Sequence, residues 1–272
     1  ETTTLAGTGI QGFNNGVDTS AQFSYPTGVA IDPEGDFLLV ADYDNHRIRK
    51  IDIKSGETTT LAGTGIQGFN NGVDTSAQFS YPMGVAIDPK GDFALVSDGG
   101  NNRIRKINLK SAETTTLAGT GIQGFKDGVS TSAAQFFYPN GIAIDPKGAF
   151  ALVADRYNHR IRKIDFESGE TTTLAGSGPG GYNNHKDGFK YLKDDAVGTS
   201  AGFHFPNGIA IDPEGTFALV ADFGTHRIRK IDLGTSETTT LAGSTKHGGF
   251  NDGSSTSAQF KFPFGIAIDR TG

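Results

Sequence analysis

The chain has 272 residues, a net charge of −6, 39 glycines, no cysteine and 35% hydrophobic residues. Without cysteine there is no disulfide, thiolate metal site or cysteine nucleophile, and the acidic balance argues against a phosphate-binding groove, so no nucleic-acid partner is expected. Nowhere is there an apolar run of the roughly 18 residues that a spanning helix needs, and membrane insertion is not expected.

The first seven residues, Glu-Thr-Thr-Thr-Leu-Ala-Gly, return at positions 57, 113, 170 and 237. A period of this size marks a solenoid, propeller or array. In chain order, the first full copy predicts strands at 27–32 (TGVAID), 37–42 (FLLVAD), 46–53 (HRIRKIDI) and 57–63 (ETTTLAG), all rich in Val, Ile, Thr or Phe. Asp-Pro-x-Gly at 32–35 predicts a tight hairpin between the first two, since Pro presets φ, Asp bonds back to the turn and Gly takes the last position. Residues 43–46 and 54–56 supply two more turns. The long crossover at 64–82 holds TSAQF, read as one helical turn capped by Asp74 or Thr75. Tightly linked antiparallel strands followed by one long crossover are the pattern of a propeller blade. The competing β-solenoid has shorter coils without such hairpins. The expected fold is all-β: one β-propeller domain over 1–272, built of four-stranded antiparallel blades.

Pro26-Thr27-Gly28-Val29-Ala30-Ile31-Asp32, then Val40-Ala41-Asp42, then Asn45-His46-Arg47-Ile48 resembles the NHL repeat, and the resemblance extends over nearly the whole chain. It implies a ring of blades serving as a recognition platform; a minority of such proteins are lyases or hydrolases with metal in the channel. The chain opens on an outermost strand and closes on an innermost one, with four complete blades between. It is therefore expected to be truncated at both ends, a fragment of a five- or six-bladed ring, with about twenty further residues completing a fifth blade. The incomplete blade offers a route to self-association through its strand edge.

His46, His159 and His226 share one repeat position, one per blade, too far apart for a common metal. They are expected to hydrogen-bond the strand-end aspartates Asp42, Asp155 and Asp222, with Asp98 and Asn102 in the second copy. Arg47, Arg103, Arg160 and Arg227 recur in every copy and are expected to pair with a repeated Asp or Glu such as Glu57, whereas Arg49 and Lys50 read as a solvated blade edge. The oxygen-rich stretches at 14–18 and 126–128 do not match a calcium-loop spacing, so no metal and no cofactor are expected.

Positions that differ between copies are the candidates for recognition. They are the residue after the inner-strand proline (Thr27, Met83, Asn140, Asn207, Phe264), the pair after the second strand (Tyr43-Asp44, Gly99-Gly100, Arg156-Tyr157, Phe223-Gly224), and the enlarged crossover at 176–198 with Tyr182 and Tyr191. Blade topology places these sets on one loop face around the channel. The function expected is a noncatalytic scaffold binding protein or glycan there, in an extracellular or cell-surface setting, with a cytoplasmic one as the alternative. A metal-dependent lyase or hydrolase is the second reading; it needs inward-pointing His, Asp or Glu, and the first strands read Gly-Val-Ala-Ile. An RNA-binding propeller is the third, disfavoured by the acidic charge.

Overall fold

In the computed structural model, which describes residues 2–178, 196–244, 248–269 and 271, the chain forms four antiparallel sheets in series. The first holds β1 (Gly16–Val17), β2 (Pro26–Ile31), β3 (Phe37–Asp42), β4 (Arg47–Asp52) and β5 (Glu57–Ala62). The second holds β6 (Gly72–Val73), β7 (Pro82–Ile87), β8 (Phe93–Asp98), β9 (Arg103–Asn108) and β10 (Glu113–Ala118). The third holds β11 (Gly128–Val129), β12 (Pro139–Ile144), β13 (Phe150–Asp155), β14 (Arg160–Asp165) and β15 (Glu170–Ala175). The fourth holds β16 (Ala196–Val197), β17 (Pro206–Ile211), β18 (Phe217–Asp222), β19 (Arg227–Asp232) and β20 (Glu237–Ala242).

Each blade therefore has five strands, not four. The extra one is a two-residue strand from the crossover that pairs with the Thr-rich strand, Gly16 opposite Thr58 and Val17 opposite Glu57 in the first sheet. Two residues inside a Gly- and Asn-rich stretch carry no alternation to read. The four longer strands lie within one residue of their sequence-derived spans. The two end segments differ from expectation, since residues 2–7 and 264–269 belong to no sheet. They still take repeat positions: Gly7 and Thr8 donate to Asp18 and Ala21 as Gly63 and Thr64 do to Asp74 and Ala77.

The Asp-Pro-x-Gly turns form as the sequence predicts. Asp32 accepts the Phe37 amide at 2.6 Å, and Gly35 at φ 81° donates to the Asp32 carbonyl at 3.0 Å. The crossover also makes its helical turn, a 3-10 turn at Asp74–Ser76, but with no side-chain cap; neither Asp74 nor Thr75 serves as one.

The chain divides into two units, Glu1–Ile122 and Gln123–Gly272, each with two sheets. In the first unit β2 and β3 pack against β7, burying Leu39, Ile48, Phe79, Val85 and Val96. In the second, β12 and β13 pack against β17 over Leu152, Ile161, Phe203, Ile209 and Val220. A buried side chain of this size contributes about 1.5–3 kcal/mol relative to exposure, so neighbouring sheets supply the apolar cover that one sheet lacks. Glycine sets the approach: a Cβ on Gly28 would sit 2.5 Å from the Met83 carbonyl oxygen.

Candidate recognition face

Strands β3, β8, β13 and β18 each end on a buried aspartate, and an arginine of the strand that follows meets it. Arg49 Nη1 lies 2.8 Å from Asp42 Oδ2, both side chains fully buried. Arg105 and Asp98 repeat this at 2.9 Å, Arg162 and Asp155 at 2.8 Å, and Arg229 and Asp222 at 3.5 Å. Two expectations are overturned here. Arg49 is not at a solvated edge, and Arg47 is not the residue that finds a carboxylate. Arg47 stands directly opposite Asp42 in the strand register, but its Nη2 donates to the Thr64 carbonyl at 2.8 Å and its guanidinium lies 3.7 Å over the Phe13 ring. Arg103 and Arg160 likewise donate to Thr120 and Ser177 carbonyls and cover Phe69 and Phe125. The diagonal residue, within reach on the same sheet face, takes the carboxylate.

Each ion pair also fastens the crossover. Asp42 accepts from the Ser24 amide and Asn45 Nδ2; Arg49 donates to the Gln22 and Asn14 carbonyls and to Asn15 Oδ1. In the third sheet Asp127 replaces that asparagine, 2.7 Å from Arg162. The oxygen-rich stretches thus face a guanidinium. Burial pushes the carboxyls of Asp98 and Asp155 above the ordinary range against the pull of Arg105 and Arg162. Asp222, with its arginine farther off, is pushed up to about 6. Desolvation lowers Arg49 and Arg105.

His46 follows the 3-10 turn Tyr43–Asn45 in left-handed backbone at φ 52°, as do Asn102, His159 and His226 at 52°, 54° and 61°. Asn and His are among the side chains that tolerate this region, which explains why asparagine replaces histidine once. The expected bonds to Asp42, Asp155 and Asp222 do not form. Nδ1 of His46 accepts the Tyr81 amide at 3.2 Å, that of His159 the Phe205 amide at 3.1 Å, and that of His226 the Phe262 amide at 3.0 Å. Each histidine therefore reaches along the chain to the residue before the next inner-strand proline. Burial lowers the pKa of His46 and His226, and takes His159 to about 4, helped by His204 stacked at 5.4 Å and by Arg160.

The variable positions gather within each unit. In the first, Tyr43 packs on Tyr81 with ring centroids 4.9 Å apart, beside a half-buried Asp44, and Thr27 Oγ1 donates to the Met83 carbonyl at 2.8 Å. In the second, the Arg156 guanidinium lies 5.4 Å from the rings of both Tyr157 and Phe223 and 6.0 Å from Phe205. Phe223 continues to Phe262 at 4.8 Å and Phe264 at 6.4 Å. Met83, Asn140 and Asn207 are buried, which leaves Thr27, Tyr43, Asp44, Arg156, Tyr157, Phe223 and Phe264 as the accessible part of the set. Tyr182 and Tyr191 lie outside the described residues. Among the described residues no group of three or more His, Asp or Glu side chains is placed to hold a metal ion.

The NHL repeat model matches residues 23–51 and 136–164, two segments that each run from the residues before the inner-strand proline through the buried aspartate, the left-handed histidine and the buried arginine. The chain belongs to the NHL-repeat family of β-propellers. Protein SUPPRESSOR OF QUENCHING 1, chloroplastic, of Arabidopsis thaliana is 30% identical over 98% of this chain and 25% of its own length. NHL repeat-containing protein 2 of Homo sapiens is 28% identical over 96% of this chain and 38% of its own length. This chain thus spans well under half of either relative. A chain in the crystal structure of a Nidogen/Laminin complex superposes with a TM-score of 0.58 at 17% identity, over 90% of this chain and 68% of that one, which shows a shared fold.

In this NHL chain the repeat signature has a physical meaning: close strand approach at the glycine, a carboxylate–guanidinium pair under the crossover, and a histidine that ties one sheet to the next segment. Two elements of that machinery do not show in the sequence reading. Arg49 with Lys50 reads as a solvated blade edge, although every copy carries the arginine. Tyr81, Phe205 and Phe262 stand in left-handed backbone at φ 50°, 52° and 54°. Their sequence signal was an aromatic residue before the proline in all five copies.

Proposed function

We propose that this NHL propeller is a noncatalytic recognition scaffold that binds a protein partner through the loop ends carrying Arg156, Tyr157 and Phe223. The observation that supports this reading is the half-exposed cluster in which one guanidinium is held against three aromatic rings. Arg156, Tyr157 and Phe223 are each partly exposed, so a partner can reach the cluster. Aromatic residues and arginine are the side chains that most often carry binding energy at interfaces. A binding screen of wild type against the Tyr157→Ala, Phe223→Ala double variant tests it, with a glycan array as the parallel arm for a sugar ligand. Loss of the ligands that wild type retains is expected; equal binding to every ligand found contradicts the reading.

A second feature supports a larger ring of five or six blades. The flank of the first sheet that carries Val29 and Ile31 is exposed, an apolar surface that a further blade would cover.

A further inference from the structure

The open flank differs sharply from its own repeat. Val85 is 6% exposed beneath the first sheet, whereas the equivalent Val29 is 63% exposed; Ile31 is 60% and Tyr25 66% exposed. Beside this flank runs a groove of about 800 Å³ lined by Thr8, Gly9, Gln11, Phe23, Tyr25 and neighbours.

In the later copies of that groove a histidine, an arginine or both fill the space. Where Tyr81 stands, the His46 ring packs edge-on at 4.8 Å and takes the amide proton on Nδ1. Where Thr64 and Gly65 stand, Arg47 donates to the Thr64 carbonyl and its guanidinium occupies the space a Cβ on Gly65 would need. Gly121 and Gly178 meet Arg103 and Arg160 likewise. His159 takes the Phe205 amide and packs at 4.6 Å from its ring, and His226 does the same for Phe262 at 4.6 Å. The first groove presents the same chemistry: a Tyr25 amide, a Thr8 carbonyl, and a Gly9 with nothing within 4 Å of a Cβ placed there.

We propose that this flank and groove form a docking surface for one kind of occupant, a two-stranded hairpin of the same repeat chemistry with an Asn-His-Arg-Ile segment. Its histidine, in left-handed backbone, accepts from Tyr25. Its arginine donates to Thr8 over the bare face of Gly9, and its apolar strand faces cover Val29 and Ile31. The hairpins of a second copy of this chain do not meet the need, because Arg47, Arg103 and Arg160 already occupy their own grooves and His226 of the fourth already accepts the Phe262 amide. The proposal rests on the reading that a further blade covers the flank and adds the side chains by which it is recognised.

The test uses the full chain and a backbone-cyclised peptide of the sequence Asp36–Gly56. A second arm joins the same stretch directly ahead of Glu1, where the repeat register places it, so that tethering supplies a high effective concentration. Amide exchange at Tyr25 is followed by NMR. The expected result is roughly tenfold or greater slowing at Tyr25, abolished when the histidine and arginine of the added hairpin are both replaced by alanine. Unchanged exchange at Tyr25 in the tethered protein overturns the proposal. Equal protection by the alanine hairpin also overturns it, while leaving the covered-flank reading intact.

Discussion

At the residue scale the buried guanidinium is the most consequential group. Arg105 holds Asp98, two crossover carbonyls and Asn71 from a fully buried position. Removing one partner of a buried pair leaves an uncompensated charge, at a cost of about 3–5 kcal/mol. Arg105→Leu should therefore lower unfolding free energy in denaturant titration by that order, and adding Asp98→Asn should restore part of it. His159 makes a pH prediction. Its pKa falls from the ordinary 6.5 to about 4 in the folded chain, so its stabilising contribution is complete above pH 6.5 and is lost as pH falls toward 4. Asp222, raised to about 6, acts in the opposite sense, its ionisation weakening the fold between the ordinary carboxylate range and pH 6. The comparison is therefore between wild type and His159→Asn, the residue the second copy uses. The variant should gain on wild type by about 2 kcal/mol between pH 6.5 and 4, allowing for solvent screening; parallel stability curves would show that His159 does not titrate this way.

At the element scale, strands and hairpin turns were legible because alternation, Asp-Pro-x-Gly and the repeat itself all point to the same spans. The partners of the polar side chains were not. Arg47 and Arg49 lie two residues apart on one strand and share a sheet face, and period-two reasoning cannot tell which of them reaches Asp42. The choice depends on the crossover, whose Phe13 ring takes Arg47 and whose carbonyls take Arg49. The histidine's partner is hidden for a related reason: its left-handed backbone turns the ring toward a residue far along the chain, Tyr81 for His46, and away from its sequence neighbour Asp42. Strand approach gives a paired prediction. Gly28→Ala should push β2 off β7 and cost about 1–3 kcal/mol by overpacking, whereas Gly265→Ala, with nothing within 4 Å of the new Cβ, should leave the melting temperature nearly unchanged. Equal effects of the two would contradict the packing described for Gly28.

At the scale of the whole molecule, near-verbatim repetition explains why the blades were readable and the ligand was not. The repeated residues build sheets and join them; the departures Arg156-Tyr157 and Phe223-Gly224 after the second strands gather aromatic and cationic groups in the second unit. No recurring pattern marks such a cluster, because recognition depends on what differs between copies. The central claim is that these turns are where a partner binds. It is tested most directly by mapping amide hydrogen exchange on the full chain with a bound partner selected by the wild type. Slowed exchange at Arg156–Asn158 and Phe223–Thr225 is predicted. Exchange unchanged at both turns, with protection confined to outer strands such as Glu170–Ala175, would contradict it.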